Sequence, residues 1–150
     1  MKCIVLAGGT GDRMWPISRK NYPKQFVYFN KKHSMFQETI LRNMPFCDEF
    51  WIMTSTSYQN IIQGQLKVFS GLKYRCFYEE EGKLTAPSIL LACLCDQADE
   101  EFLIVSVDTM IGDGNYMQTI VKGKSFIENG KLVTMGVKTK HPSLGVGFLS

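Results

Sequence analysis

The sequence has no apolar run near the roughly 20 residues that a membrane-spanning helix needs, and its opening Met1-Lys2-Cys3-Ile4-Val5-Leu6-Ala7 is too short for a signal peptide before it meets glycine. A soluble, unexported protein is expected. Histidine is scarce, with two in 150 residues, and no Cys-x-x-Cys occurs, so neither zinc spacing nor a thioredoxin-like redox motif is available. The five cysteines, Cys3, Cys47, Cys76, Cys93 and Cys95, cannot all pair. They read as free buried thiols, which suits a reducing cytoplasm. Charge of one sign is also lacking: 17 Lys+Arg against 14 Asp+Glu gives +3, spread along the chain rather than gathered into a block. That excludes a dedicated nucleic-acid binder while leaving room for a local anion site. With 45% apolar and 21% charged residues, the composition is that of one globular domain large enough to bury a core without disulfides or a structural metal.

What is present is an alternation. Short apolar runs at Cys3 to Ala7, Phe50 to Met53, Tyr74 to Tyr78, Phe102 to Val107 and Leu132 to Val137 read as buried strands. Between them, Phe36, Ile40, Leu41 and Met44 share one helical stripe; Tyr58, Ile61, Ile62, Leu66 and Phe69 share another, and Tyr116, Ile120, Val121 and Ile127 a third. Ile89 to Leu94 is apolar all round and predicts a helix buried between other elements. Asp113, ahead of the Tyr116 helix, is assigned to its cap. Strand and helix in turn imply an α/β, Rossmann-like, mainly parallel sheet with helices on both faces. No internal repeat or linker interrupts it.

Residues 8 to 33 break the alternation with three glycines, two prolines and six Lys or Arg. A loop this long in a compact domain is usually functional, and it begins where an open parallel sheet has its ligand crevice. Gly8, Gly9, Thr10 and Gly11 make a phosphate-cradling nest or a tight turn. No Gly-Lys-Ser/Thr follows, which excludes a Walker A loop, and Met14 stands where a dinucleotide fingerprint needs its third glycine. Arg13 offers a planar fork for phosphate oxygens, favouring the cradle. Lys24, between Pro23 and Phe26, is either a second anion ligand or a solvated lysine; Asp108, at a strand end, is either a magnesium ligand or a turn residue.

The run Leu-Ala-Gly-Gly-Thr-Gly-Asp-Arg-Met-Trp-Pro-Ile-Ser-Arg-Lys-Asn-Tyr-Pro-Lys-Gln-Phe from Leu6 to Phe26 resembles the signature of nucleoside-diphosphate-sugar pyrophosphorylases, and its second half resembles the mannose-1-phosphate guanylyltransferase branch. The resemblance continues through Phe36-Gln37-Glu38-Thr39, Thr85-Ala86-Pro87-Ser88-Ile89, Val105-Ser106-Val107-Asp108, Leu132 to Val137 and Leu144-Gly145-Val146-Gly147-Phe148. It implies a sheet of the nucleotide-diphospho-sugar transferase type on which GTP and a sugar 1-phosphate, mannose 1-phosphate in that branch, exchange pyrophosphate. Gly8, Gly9, Thr10 and Gly11 would wrap the triphosphate, with Thr85 and Ala86 against the nucleoside and Gly145 near the sugar. Arg13 and Lys24 would be the catalytic cations, and Asp108 would hold Mg2+.

The chain departs from the branch at Lys83-Leu84, at Thr109 after Asp108 and at Leu144-Gly145-Val146-Gly147. The resemblance also implies that residues 1–150 are the N-terminal, nucleotide-binding part of a longer domain, truncated at its C-terminal side. A sugar-binding Glu-Lys pair and a second metal carboxylate would lie beyond Ser150. A catalytically incomplete module with a regulatory or assembly role is the alternative. An unpaired sheet edge would favour a homo-oligomer; neither nucleic acid nor membrane is an expected partner.

Overall fold

A computed structural model of the chain describes residues 1–11, 14–28, 32–80, 85–96, 100–109, 111–112, 114–127 and 131–136. Two compact units divide it, Met1–Met110 and Ile111–Ser150. The first unit is built from β1 (Lys2–Leu6), α1 (Met35–Asn43), β2 (Glu49–Ser55), α2 (Gln59–Leu66), β3 (Tyr74–Glu79), α3 (Thr85–Cys95) and β4 (Phe102–Ser106), with short 3-10 turns at Lys24–Phe26 and Thr56–Tyr58. The strands form one parallel sheet in the order β3-β2-β1-β4, with Ile4 opposite Trp51 on one side and Ile104 on the other.

That order positions the site. The chain steps outward from β1 through β2 to β3, then returns past β1 to lay down β4. Right-handed crossovers therefore put α1 and α2 on one face and α3 on the other. Between β1 and β4 the order reverses, with the helix after β1 on one face and the helix before β4 on the other, and the crevice of an open α/β sheet lies at such a switch, outside the carboxyl ends of the strands.

Period-2 alternation divides the core accordingly. Ile4, Trp51 and Met53 pack with Ala92 of α3, flanked by Leu6, Phe77 and Phe102. Cys3, Val5, Phe50 and Ile52, buried on the opposite side of the pleat, face the helix layer that supplies Phe36, Ile40, Ile62 and Leu66. Phe26, from the long loop, sets its ring edge-on to Phe36 and Tyr58 at 5.8 and 5.6 Å, so the loop is anchored in the core. Helix α1 starts with a capping box: Gln37 N–H donates to Ser34 Oγ, and Ser34 N–H donates to the Gln37 side chain.

Helix α3 is held at both ends. Ser88 Oγ donates to Glu79, the last residue of β3, at 2.5 Å, and Lys2 of β1 pairs with Asp96 just past the helix. Its N-terminal residue Thr85 therefore sits at the carboxyl edge of the sheet. Four expectations need correction. Only Ser88 and Ala92 of α3 are buried, four residues apart on one stripe, while Leu90, Leu91 and Leu94 are exposed, Leu94 at 73%. The predicted all-round burial fails because an all-apolar helix has no periodicity to rank its faces. Cys93 and Cys95 are exposed with it and Cys76 is half-buried, leaving Cys3 and Cys47 as the buried thiols. Met44 and Val121 fall outside the buried stripes of their helices.

The fourth correction lies in the second unit. Residues 131–136 form no strand there, and Leu132 is fully exposed. This unit contains α4 (Tyr116–Ile127), whose Ile120 is buried. Asp113 and Val137 lie outside the described residues.

Candidate active site

The loop after β1 is shaped by donors from elsewhere in the chain. Ala7 continues the sheet by donating its N–H to the Met53 carbonyl at 2.8 Å. Gln25, buried in the 3-10 turn, donates its Nε2 to the Gly9 carbonyl at 2.7 Å and to the Ala7 carbonyl at 3.4 Å. Thr54 Oγ1 donates to the same Ala7 carbonyl at 3.3 Å, and Ser18 Oγ donates to the Thr10 carbonyl at 3.0 Å. In a trans peptide the carbonyl of one residue and the N–H of the next point to opposite sides. Drawing the carbonyls of Ala7, Gly9 and Thr10 toward Gln25, Thr54 and Ser18 therefore turns the N–H groups of Gly8, Thr10 and Gly11 the other way. Successive N–H groups so oriented form an anion-binding concavity.

The glycines are not equivalent. Gly11 has φ +69°, and a Cβ there would stand 2.6 Å from Ser18 Oγ and 3.1 Å from Lys24 Cγ. The fold itself demands glycine at this position. A Cβ on Gly8 would make ordinary contact with Thr54 Cα at 3.9 Å, and one on Gly9 would meet nothing within 4 Å.

Lys24 and Asp108 meet at this loop. Lys24 N–H donates to Ser18 Oγ at 3.1 Å, its side chain passes Gly11, and its Nζ reaches Asp108 Oδ2 at 3.7 Å. Asp108 follows β4; Val107 N–H donates to the Leu6 carbonyl at 3.3 Å, and Ser106 Oγ donates to Asp108 Oδ1. With the lysine side chain 20% and the aspartate side chain 53% exposed, the pair adds little to stability. Its placement across the β1/β4 switch puts a cation and a hard oxygen ligand within reach of one bound anion.

The structure thus brings together the glycine loop, Lys24 and Asp108, and sets Thr85 and Ala86 at the same sheet edge. Arg13, Lys83, Leu84 and Gly145 lie outside the described residues. Sequence reasoning missed Ser18 and Gln25, which with Thr54 of β2 are the polar residues that shape the loop. Ser18 stands between Ile17 and Arg19, and Gln25 between Lys24 and Phe26, so no local pattern marks either of them.

A sequence profile of the nucleotidyl transferase family matches residues 2–149. The chain belongs to the nucleotidyl transferase family. Among its relatives, mannose-1-phosphate guanylyltransferase RfbM of Salmonella typhimurium is 33% identical over 153 residues, and the mannose-1-phosphate guanylyltransferase of Salmonella montevideo 35% over 150. Xanthan biosynthesis protein XanB of Xanthomonas campestris is 34% identical over 151. Each alignment takes in 97% of this chain and 32% of the relative, so the chain spans about a third of their length.

Of solved structures, mannose-6-phosphate isomerase from Helicobacter pylori superposes with TM-score 0.82 at 26% identity, covering 95% of this chain and 52% of that one. Mannose-1-phosphate geranyltransferase from Thermus thermophilus, at 24% identity, shares the fold with TM-score 0.72 over 86% of this chain and 38% of that one. A parallel Rossmann-like sheet of nucleotidyl transferase type is thereby established. Among the described residues no helix is long and apolar enough to cross a membrane.

Proposed function

We propose that the chain is the nucleotide-binding part of a sugar-1-phosphate nucleotidyltransferase that moves GMP from GTP to mannose 1-phosphate, with pyrophosphate as the other product. The observation that carries the reading is the convergence of Lys24 and Asp108 on an N–H-lined glycine loop at the topological switch. In the reaction, an oxygen of the sugar phosphate attacks the α-phosphorus, the bond from that phosphorus to the bridging oxygen breaks, and pyrophosphate leaves with the electron pair. No nucleophilic side chain is required. Catalysis consists of alignment and neutralisation of crowded negative charge.

In this reading the N–H groups of Gly8, Thr10 and Gly11 hold triphosphate oxygens, with Gly9 open to their approach. Lys24 neutralises the phosphate at the reacting centre and Arg13 the departing pyrophosphate. Thr85 and Ala86 lie against the nucleoside and Gly145 near the sugar. Asp108 suits Mg2+, a hard cation commonly held by one or two carboxylates together with substrate phosphates. Among the described residues no cluster of three acidic, His or Cys side chains forms an all-protein metal cage. One carboxylate beside a phosphate site therefore fits a metal that arrives with its nucleotide. When bound, the ion would supply charge neutralisation for the phosphates.

The names of the relatives, mannose-1-phosphate guanylyltransferases, support the guanine and mannose assignment. Five free thiols and the proposed use of a nucleoside triphosphate support a cytoplasmic setting. Calorimetric titration of the chain with GTP, ATP, dTTP and UTP, with and without magnesium, tests the reading. Magnesium-dependent binding with GTP the tightest is expected. Absence of binding by folded protein overturns it.

A further inference from the structure

We propose that Ser18 is a positioning residue, a single buried hydroxyl that sets the Lys24 ammonium at a fixed place relative to the glycine loop. The inference rests on the triphosphate-site reading and names the part that makes the site one piece.

Ser18 Oγ has two backbone partners of opposite kind. The Thr10 carbonyl only accepts and the Lys24 N–H only donates, so the hydroxyl hydrogen points to Thr10 and an oxygen lone pair faces Lys24, at 3.0 and 3.1 Å. One atom thus joins the last part of the loop to the residue whose Nζ meets Asp108 across the switch. Ser18 is 3% exposed and is itself held by its N–H donating to the Met14 carbonyl at 3.0 Å. Gly11 leaves the room: the Cβ that its absence spares would overlap the same Oγ at 2.6 Å. Gln25 fixes the earlier carbonyls, Ala7 and Gly9, but its side chain is not the bridge to the Lys24 backbone. The division of labour is specific. Gln25 acts on the loop alone, whereas Ser18 orients the Thr10 carbonyl and also ties the loop to the lysine.

A residue that acts through another leaves a thermodynamic signature, because its removal matters only while its target is present. The test is a double-mutant cycle of Ser18→Ala and Lys24→Met, read as calorimetric affinity for GTP with magnesium, with urea midpoints recorded for every variant. Ser18→Ala alone is expected to weaken binding about tenfold, the scale of a lost buried hydrogen-bond pair. In the Lys24→Met background the same change is expected to cost less than about threefold. Ser18→Cys, which keeps the shape and weakens both bonds, carries the same cycle if the alanine variant does not fold. Equal losses in both backgrounds, or unchanged affinity in Ser18→Ala, overturn the positioning role while leaving the triphosphate site standing. Wild-type chain that binds no triphosphate overturns the site reading itself and the positioning role with it.

Discussion

Alanine at Gly9 and alanine at Gly11 are expected to part company, because the two glycines answer to different demands. At Gly11 the backbone has φ +69°, where an L-residue costs about 1–2 kcal/mol. The added methyl would also press on Ser18 Oγ at 2.6 Å and Lys24 Cγ at 3.1 Å, an overpacking worth roughly 1–3 kcal/mol. Together these predict a loss of about 2–5 kcal/mol, which at a mid-range urea slope of about 2 kcal/mol/M lowers the midpoint by roughly 1–2.5 M. At Gly9 the methyl meets no atom within 4 Å and φ lies outside the left-handed region. Stability should hold or rise by about 0.4–1 kcal/mol through the stiffer unfolded chain.

Ligand binding reverses the ranking. A methyl in the open space at Gly9 keeps phosphate oxygens off the loop. Losing a hydrogen bond to a charged group costs about 1.5–3 kcal/mol, or roughly ten- to a hundredfold in affinity. Urea titration and GTP calorimetry on the two variants measure both quantities. A Gly9→Ala protein that unfolds early would refute the structural argument, and one that binds GTP like the wild type would refute the placement of the phosphates.

Lys24→Met should leave the unfolding free energy from urea titration within about 0.5 kcal/mol of wild type, since its pair with Asp108 is partly exposed, yet lower triphosphate affinity at least about tenfold. Asp108→Asn should abolish the gain in affinity that magnesium brings while leaving magnesium-free binding unchanged or stronger, because a negative charge has gone; titration in EDTA and in magnesium checks the pair of results. Burial first, then Cys76 alongside, pushes the Tyr78 hydroxyl up to about 12 from an ordinary 10. The folded chain therefore keeps that proton where the unfolded chain loses it. The resulting stability is present below pH 10 and lost as pH climbs toward 12, and it is smaller than the full shift implies because the side chain is only partly buried. Tyr78→Phe should flatten this limb of an alkaline unfolding curve.

Those elements whose evidence is local were legible in the sequence. β1 reads as a strand because an apolar run stops at glycine, and β4 because another stops at Asp108. Placing both residues at one crevice needed only the crossover rule. The amphipathic stripes found α1 and α2 through Phe36, Ile40, Ile62 and Leu66, which are buried.

Other features depend on partners that a single run cannot display. Leu90, Leu91 and Leu94 read the same as Ala92 in an all-apolar helix, yet only Ala92 packs on Ile4 and Trp51. The apolar run at Leu132 satisfies strand propensity, but a strand exists through pairing, and residues 131–136 have none. Ser18 and Gln25 were invisible for a similar reason. Their roles consist of hydrogen bonds to carbonyls eight to eighteen positions earlier, which no periodicity records.

The central claim is that triphosphate sits on the N–H face of the loop between β1 and Lys24, and amide chemical shifts in labelled protein titrated with GTP and magnesium test it most directly. The account predicts that the largest shifts fall on Gly8, Gly9, Thr10 and Gly11, with Lys24 and Asp108 following and the buried amides of α1 unmoved. Saturable binding that leaves those four glycine-loop amides in place while others move would contradict it.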